Sequence, residues 1–299
     1  MLFNKVSFAL TALLSSTVVM MSGCATSLSS TASNTQQQAQ NALLVYGGHI
    51  LTMQGMQPSY VDAMIIQDGK IRYTGPLSEA EKLAPQAKRL NLNNNTVIPG
   101  IIDAHSHLNS VGMQQTVANL YPPPDGKVVS IATLIQEMKA WAKQNPTFVQ
   151  ATSGWIIGNG YDDTQLQEKT HPTATDLDQI STAQPVLILH QSGHLASVNH
   201  KALELLGINE KSSNPSGTNI PNGVLEESVV IEAMLQAFKT VPPEMMQQMA
   251  LTAVQTYMKN GYTTVQEGRA DRGTSELWHS LANQNKLAID VVAYPDISS

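Results

Sequence analysis

The stretch VIPGIIDAHSHL, residues 97–108, delivers two imidazoles, His105 and His107, one residue apart at the end of an apolar run. In an extended strand, side chains at i and i+2 share a face. Asp103, His105 and His107 would then stand together at the mouth of a strand, one carboxylate beside two imidazoles. Such a set suits a metal ion. Imidazole donors favour zinc, which lowers the pKa of a bound water to about 7 and so makes a nucleophile of it. The plainer alternative is that both histidines are strand-end residues hydrogen-bonded to their neighbours. Asp103 could hold an imidazole from behind, or it could simply close the interior at the strand's end.

Short β-rich runs precede this stretch. NALLVYGGHILTM and AMIIQDGKIRYTG are punctuated by Gly-Gly and Asp-Gly, which are hairpin signals, and LNLNNNTVIPG adds another strand. Residues 42–97 are therefore expected to form a small antiparallel sheet. From Pro99 the rhythm becomes strand, loop, helix. Strands are expected at PGIIDAHSHL and over residues 148–161, 185–198, 262–268 and 288–295. Helical patterns separate them, among them PPEMMQQMALTAVQTYMKNG, where Met245, Met249 and Ala253 recur every four residues and Gly261 is the stop. That methionine stripe reads as core. Alternating strands and helices imply an α/β fold with a parallel sheet.

The chain has 299 residues, is 42% hydrophobic and carries a formal net charge of -6. The mild acidity and the lack of a basic stripe argue against a nucleic-acid partner. At the N-terminus, Lys5 and the apolar run VSFALTALLSSTVVMM read as a secretory signal over residues 1–23. The run ends in MSGC, where Cys24 is the single cysteine. Small residues before a lone cysteine resemble the lipobox of bacterial lipoproteins. That resemblance implies lipidation of Cys24 and a lipid anchor in the cell envelope, facing the periplasm, with the outer membrane favoured by Ala25. The Ser/Thr/Gln-rich residues 24–41 read as a flexible tether.

The DGKI hairpin followed by TVIPGIIDAHSHL resembles the amidohydrolase superfamily of metal-dependent hydrolases. GWIIGNGYDD, the segment from HPTATDLDQI to SVNHKALELLGI, and NGVLEE narrow the resemblance to its YtcJ-like branch, amidohydrolase family 3. The likeness implies a (β/α)₈ TIM-type barrel whose chemistry sits at the C-terminal strand ends. It makes the sheet expected over residues 42–97 part of a small β-sandwich. It implies one or two divalent metals, a small-molecule amide-type substrate and hydrolysis of non-peptide C–N bonds by activated water. His105 and His107 become metal ligands. Glu267, ending the fourth expected strand, becomes a further ligand able to bridge two cations, unless it is a solvated carboxylate or pairs with Arg269. By the same likeness Trp155, Asn159, Tyr161, His194 and Asn199 line the substrate pocket. His49, His171, His200 and His279 receive no role.

A complete barrel needs eight strands, and about five are expected over residues 98–299, so an incomplete barrel is expected. The likeness places two further histidine ligands and the acid/base aspartate beyond Ser299, which leaves the catalytic acid/base unassigned. Little turnover is expected of these 299 residues alone, or a non-catalytic lipid-anchored envelope protein, unless another polypeptide completes the barrel.

Overall fold

The computed structural model describes residues 42–218 and 220–296; the expected leader, Cys24 and the tether lie outside them. Two compact units divide the chain, Met1–Pro99 and Gly100–Ser299.

In the first unit, Ala42–Leu51 (β1) is a central strand. It pairs antiparallel with Tyr60–Gln67 (β2), which turns back on Lys70–Gly75 (β3). Asp68 and Gly69 in that turn both have positive φ, 53° and 71°. A tight hairpin with both central residues left-handed favours Asp-Gly, so the sequence signal has a direct backbone cause. The helix Leu77–Leu83 (α1) then carries the chain back, and Lys88–Asn91 (β4) and Thr96–Val97 (β5) run parallel to β1. The antiparallel sheet expected here is thus a mixed five-stranded one, because a helical crossover, unlike a hairpin, returns the chain in the same direction. Ala80 of α1 packs with Ala42, Leu44, Ala63 and Ile65 on one side of this sheet.

The second unit opens with Ile101–Asp103 (β6), Leu108–Gln114 (α2), Ala118–Asn119 (β7), Ile131–Gln144 (α3), Pro146–Ala151 (α4) and Ile156–Tyr161 (β8). Ala174–Asp178 (α5), Val186–His190 (β9), Leu195–Val198 (β10), His200–Leu205 (α6), Val224–Glu226 (β11) and Ser228–Phe238 (α7) follow. Pro243–Lys259 (α8), Tyr262–Ala270 (β12), Arg272–Asn283 (α9) and Asp290–Pro295 (β13) complete it. The strands form two sheets, ordered β11-β10-β9-β8-β7 and β13-β12-β6.

This partition corrects the expectation of one run of five strands in a single sheet. Residues 148–161 begin as helix α4, started by Pro146 at its first turn, and become strand only at Ile156. Residues 185–198 are two antiparallel strands, β9 and β10, folded about Gly193 at φ 74°. β6 passes over both and pairs in parallel with β12, so the first expected strand neighbours the fourth. Local periodicity carries no information about such a partner, because closing a longer loop costs little extra entropy.

β8 and β9 are buried along their whole length, with Ile157, Leu187 and Ile188 at the centre. Near-continuous apolar character is what strands covered on both faces require. On α8, Met249, Ala250, Ala253 and Val254 are buried and Met245 packs at the edge of the core, as the stripe predicts. Gly112 in α2 lies so close to α8 that a Cβ there would meet the Met249 carbonyl oxygen at 2.4 Å. Among the described residues, no helix is long and apolar enough to cross a membrane.

Candidate functional site

β6 ends at Asp103, so His105 and His107 lie on the loop that leads into α2 and not on the strand itself. The loop still brings them together. Their ring centroids are 5.8 Å apart and nearly perpendicular. Asp103 does not hold an imidazole; its Oδ1 accepts the backbone N–H of His105 at 3.1 Å, the nearest donor to a short carboxylate two residues upstream.

β12 fixes the other side. The Gly268 N–H donates to the Ser106 carbonyl at 2.8 Å, and His107 and Glu267 pair as an isolated bridge. Ser106 Oγ lies 2.5 Å from the Tyr257 hydroxyl on α8, which pins the loop between the two imidazoles. Glu267 is only 2% exposed. Its carboxylate accepts the backbone N–H of Asn109 at 2.6 Å and that of Arg269 at 3.4 Å, and its Oε1 lies 3.9 Å from His107 Nδ1. Burial pushes this carboxyl above the usual glutamate range, against the pull of those N–H donors. Neither alternative for Glu267 holds: it is not solvated, and the Arg269 guanidinium instead pairs with Asp296 at 2.7 Å.

The five expected pocket residues separate. Asn159 lines a cleft of about 480 Å³ with Gly193, Asn109, Met113, Leu189 and Phe238. Trp155 is buried in the core beside Phe148 and Leu187. Tyr161 is also core; its hydroxyl lies 3.1 Å from His171 Nδ1 and 3.2 Å from Ser197 Oγ, and burial pushes it well above the ordinary tyrosine range. Asn199 caps α6 by accepting the Ala202 N–H and also accepts from Val186, while its amide donates to the Ser181 and Gln184 carbonyls. His194 is exposed and contacts Glu227 at 3.1 Å. Trp155, Tyr161 and Asn199 thus face packed interior: Tyr161 ends a strand covered on both sides, and Trp155 and Asn199 flank such strands.

Among the described residues, a single group of three or more potential ligands brings its atoms within 4.8 Å of one another, and it is Asp162, Asp163 and His190. Asp103, His105, His107 and Glu267 do not close to that spacing. The sequence did hold a signal for the tighter group: paired aspartates directly after one apolar strand and a histidine ending the next. Burial pushes the Asp162 carboxyl up, yet hydrogen bonds from Thr164 and Gln165 outweigh it and hold the group below the usual range.

For the metal that His105 and His107 imply, the donor chemistry fits. Two exposed imidazoles share one loop, and His107 stands beside a buried carboxylate whose orientation is held by the Asn109 and Arg269 N–H groups, as a metal-directed carboxylate requires.

A family model described as the amidohydrolase family matches residues 88–298. The chain is 28% identical over 207 residues to the amidohydrolase YtcJ of Bacillus subtilis, covering 66% of this chain and 36% of that protein. It is 25% identical over 194 residues to an N-substituted formamide deformylase of Arthrobacter pascens, covering 62% of this chain and 34% of the relative. In structure it resembles an uncharacterized metal-dependent hydrolase from Pyrococcus horikoshii, with a TM-score of 0.65 and 24% identity over 85% of this chain and 48% of the other. That likeness concerns the fold. The chain thus spans between about a third and a half of these relatives. With a family match over residues 88–298 on top of the shared fold, the chain belongs to the amidohydrolase family.

Proposed function

We propose that this chain carries part of the active centre of a metal-dependent hydrolase of non-peptide C–N bonds in small amide-type molecules. The observation that carries the reading is the pair His105 and His107, with ring centroids 5.8 Å apart, beside the buried Glu267, whose Oε1 stands 3.9 Å from His107 Nδ1 across the β6–β12 junction. His105, His107 and Glu267 would hold one or two divalent ions, zinc by donor preference. A bound ion supplies a water of lowered pKa and polarises a carbonyl. Asn109 links this corner to the cleft: its backbone N–H fixes Glu267 and its side chain lines the apolar walls. That supports a substrate with an apolar substituent beside the scissile amide, and N-substituted formamides, named for the Arthrobacter pascens relative, are the first class to test.

In this reading the parallel strands β6, β12 and β13 begin a (β/α)₈ barrel, and β7–β11 form a sheet inserted after its first strand. Turnover by residues 1–299 alone is weak in this reading, since the family likeness places the acid/base aspartate outside them. The sequence supports export, with Cys24 as lipid anchor in the envelope. The test is hydrolysis of an N-substituted amide panel by the zinc-loaded chain and by a H105A/H107A variant, with bound zinc measured in each. Slow, zinc-dependent turnover lost in the variant supports the reading. Zinc bound equally by both, with turnover in neither, favours a non-catalytic envelope protein.

A further inference from the structure

We propose that Asp162, Asp163 and His190 form a second divalent-cation site, separate from His105, His107 and Glu267, with His171 as a fourth donor. β8 and β9 are parallel neighbours, and Tyr161 at the end of one is in register with His190 at the end of the other. The two aspartates follow Tyr161 directly, so two carboxylates and an imidazole converge at the same strand ends. His190 Nε2 lies 3.2 Å from Asp163 Oδ1 and 3.8 Å from Asp162 Oδ1. Donors about 2.1 Å from a tetrahedral ion stand roughly 3.4 Å apart, so His190 needs to move only tenths of an ångström relative to either aspartate oxygen, while His171 stands at the edge of the group.

The imidazole is the second and independent indication. Its side chain is 10% exposed, and Nε2 is a buried nitrogen with no hydrogen-bond partner, because the approach to Asp163 is not aligned as a hydrogen bond. Leaving such an atom unsatisfied is costly, and buried polar groups are ordinarily paired. Charge points the same way. With neutral imidazoles the cluster carries two negative charges on side chains 6% and 24% exposed, which a divalent cation would offset. The surroundings are already rigid. Asp162 accepts from Thr164 N–H and Oγ–H and from the Gln165 and Gln191 amides. Tyr161, itself held by Ser197, fixes His171, whose Nε2 stands 3.8 Å from the same Asp163 oxygen. Such outer contacts are what orient ligands.

Ser192 decides the tautomer. Its N–H and hydroxyl lie 3.1 and 2.9 Å from His190 Nδ1. The Ser192 N–H donates to Nδ1, so Nε2 carries the proton and points toward the aspartates without an aligned bond. Cation uptake requires the other tautomer, with Nδ1–H donating to Ser192 Oγ and the Nε2 lone pair free. The mixed nitrogen and oxygen set favours zinc or manganese over calcium, which takes oxygen ligands.

The test is zinc binding by the chelator-stripped full chain, by calorimetry and metal content, in a H105A/H107A background that removes the first pair. One equivalent of zinc is expected to remain there. Adding D163N is expected to weaken it at least tenfold, and H171Q, at the edge of the cluster, to weaken it measurably while circular dichroism stays unchanged. The proposal is overturned if the H105A/H107A chain takes up no zinc, or if its affinity is unchanged by both D163N and H171Q. Because the background lacks both loop histidines, failure here leaves the proposed active centre standing, and failure there leaves this site standing.

Discussion

Two histidine–carboxylate clusters lie at parallel strand ends in the same unit, and they are built in opposite ways. At β6 and β12 the imidazoles are exposed on a loop, only the carboxylate is buried, and the ligand atoms stay apart. At β8 and β9 Asp162 and His190 are buried, Asp163 is half-buried, and their ligand atoms converge within 4.8 Å. An open cluster can admit a substrate and a water between its groups; a closed one has room for little more than an ion. The difference separates a place for chemistry from a place for holding something.

Five substitutions, two of them read through pH, would break or sharpen that contrast. The largest effect belongs to the strand beneath the closed cluster. Leu187→Ala on β9, a fully buried residue, should cost about 2–5 kcal/mol in denaturant unfolding and abolish zinc binding at Asp163 and His190 before disturbing the loop pair. Next is Asn199→Ala, which removes the side-chain partner of the Val186 N–H, the Ser181 and Gln184 carbonyls and, in part, the Ala202 N–H; a loss of about 1–3 kcal/mol is expected, with no pocket effect.

The third uses pH, with opposite signs at the two sheets. Glu267 titrates above its ordinary value because burial disfavours its charge, so ionising it destabilises the fold as pH rises from about 4.5 through its raised value. In chelator, Glu267→Gln should therefore gain stability over the parent between pH 4 and pH 7. Glu226 on β11 is held below its ordinary value by hydrogen bonds from Ser216 and Thr218. Its ionised form stabilises the fold above about 4.5, and that contribution fades as pH falls through the lowered value. Glu226→Gln should be the less stable protein at pH 7 and draw level with the parent in acid. Thermal melts across the range decide both. The smallest effect is His107→Ala, an exposed side chain whose loss should shift stability by no more than about 0.5 kcal/mol while removing a ligand.

The sequence made some of this plain. Asp68-Gly69 announced its hairpin, the β8 and β9 runs announced buried strands, and His105 and His107 stand together opposite Glu267. The grouping of strands was hidden, because β6 finds β12 across the whole β7–β11 sheet and nothing local encodes that partner. The family likeness assigns Tyr161, Trp155 and Asn199 to the pocket, and the buried runs around them carry no alternation to show which side is open. Asp162, Asp163 and His190 went unnoticed as a group because a full strand–helix–strand connection separates them, and only the register of β8 with β9 joins them.

Zinc-edge anomalous diffraction from crystals of the zinc-loaded chain addresses the proposed active centre most directly. The account predicts a peak within bonding distance of His105 and His107, with the Glu267 carboxylate turned toward it. Zinc absent from that loop at full loading, with both imidazoles bonded only to protein or solvent, would contradict it.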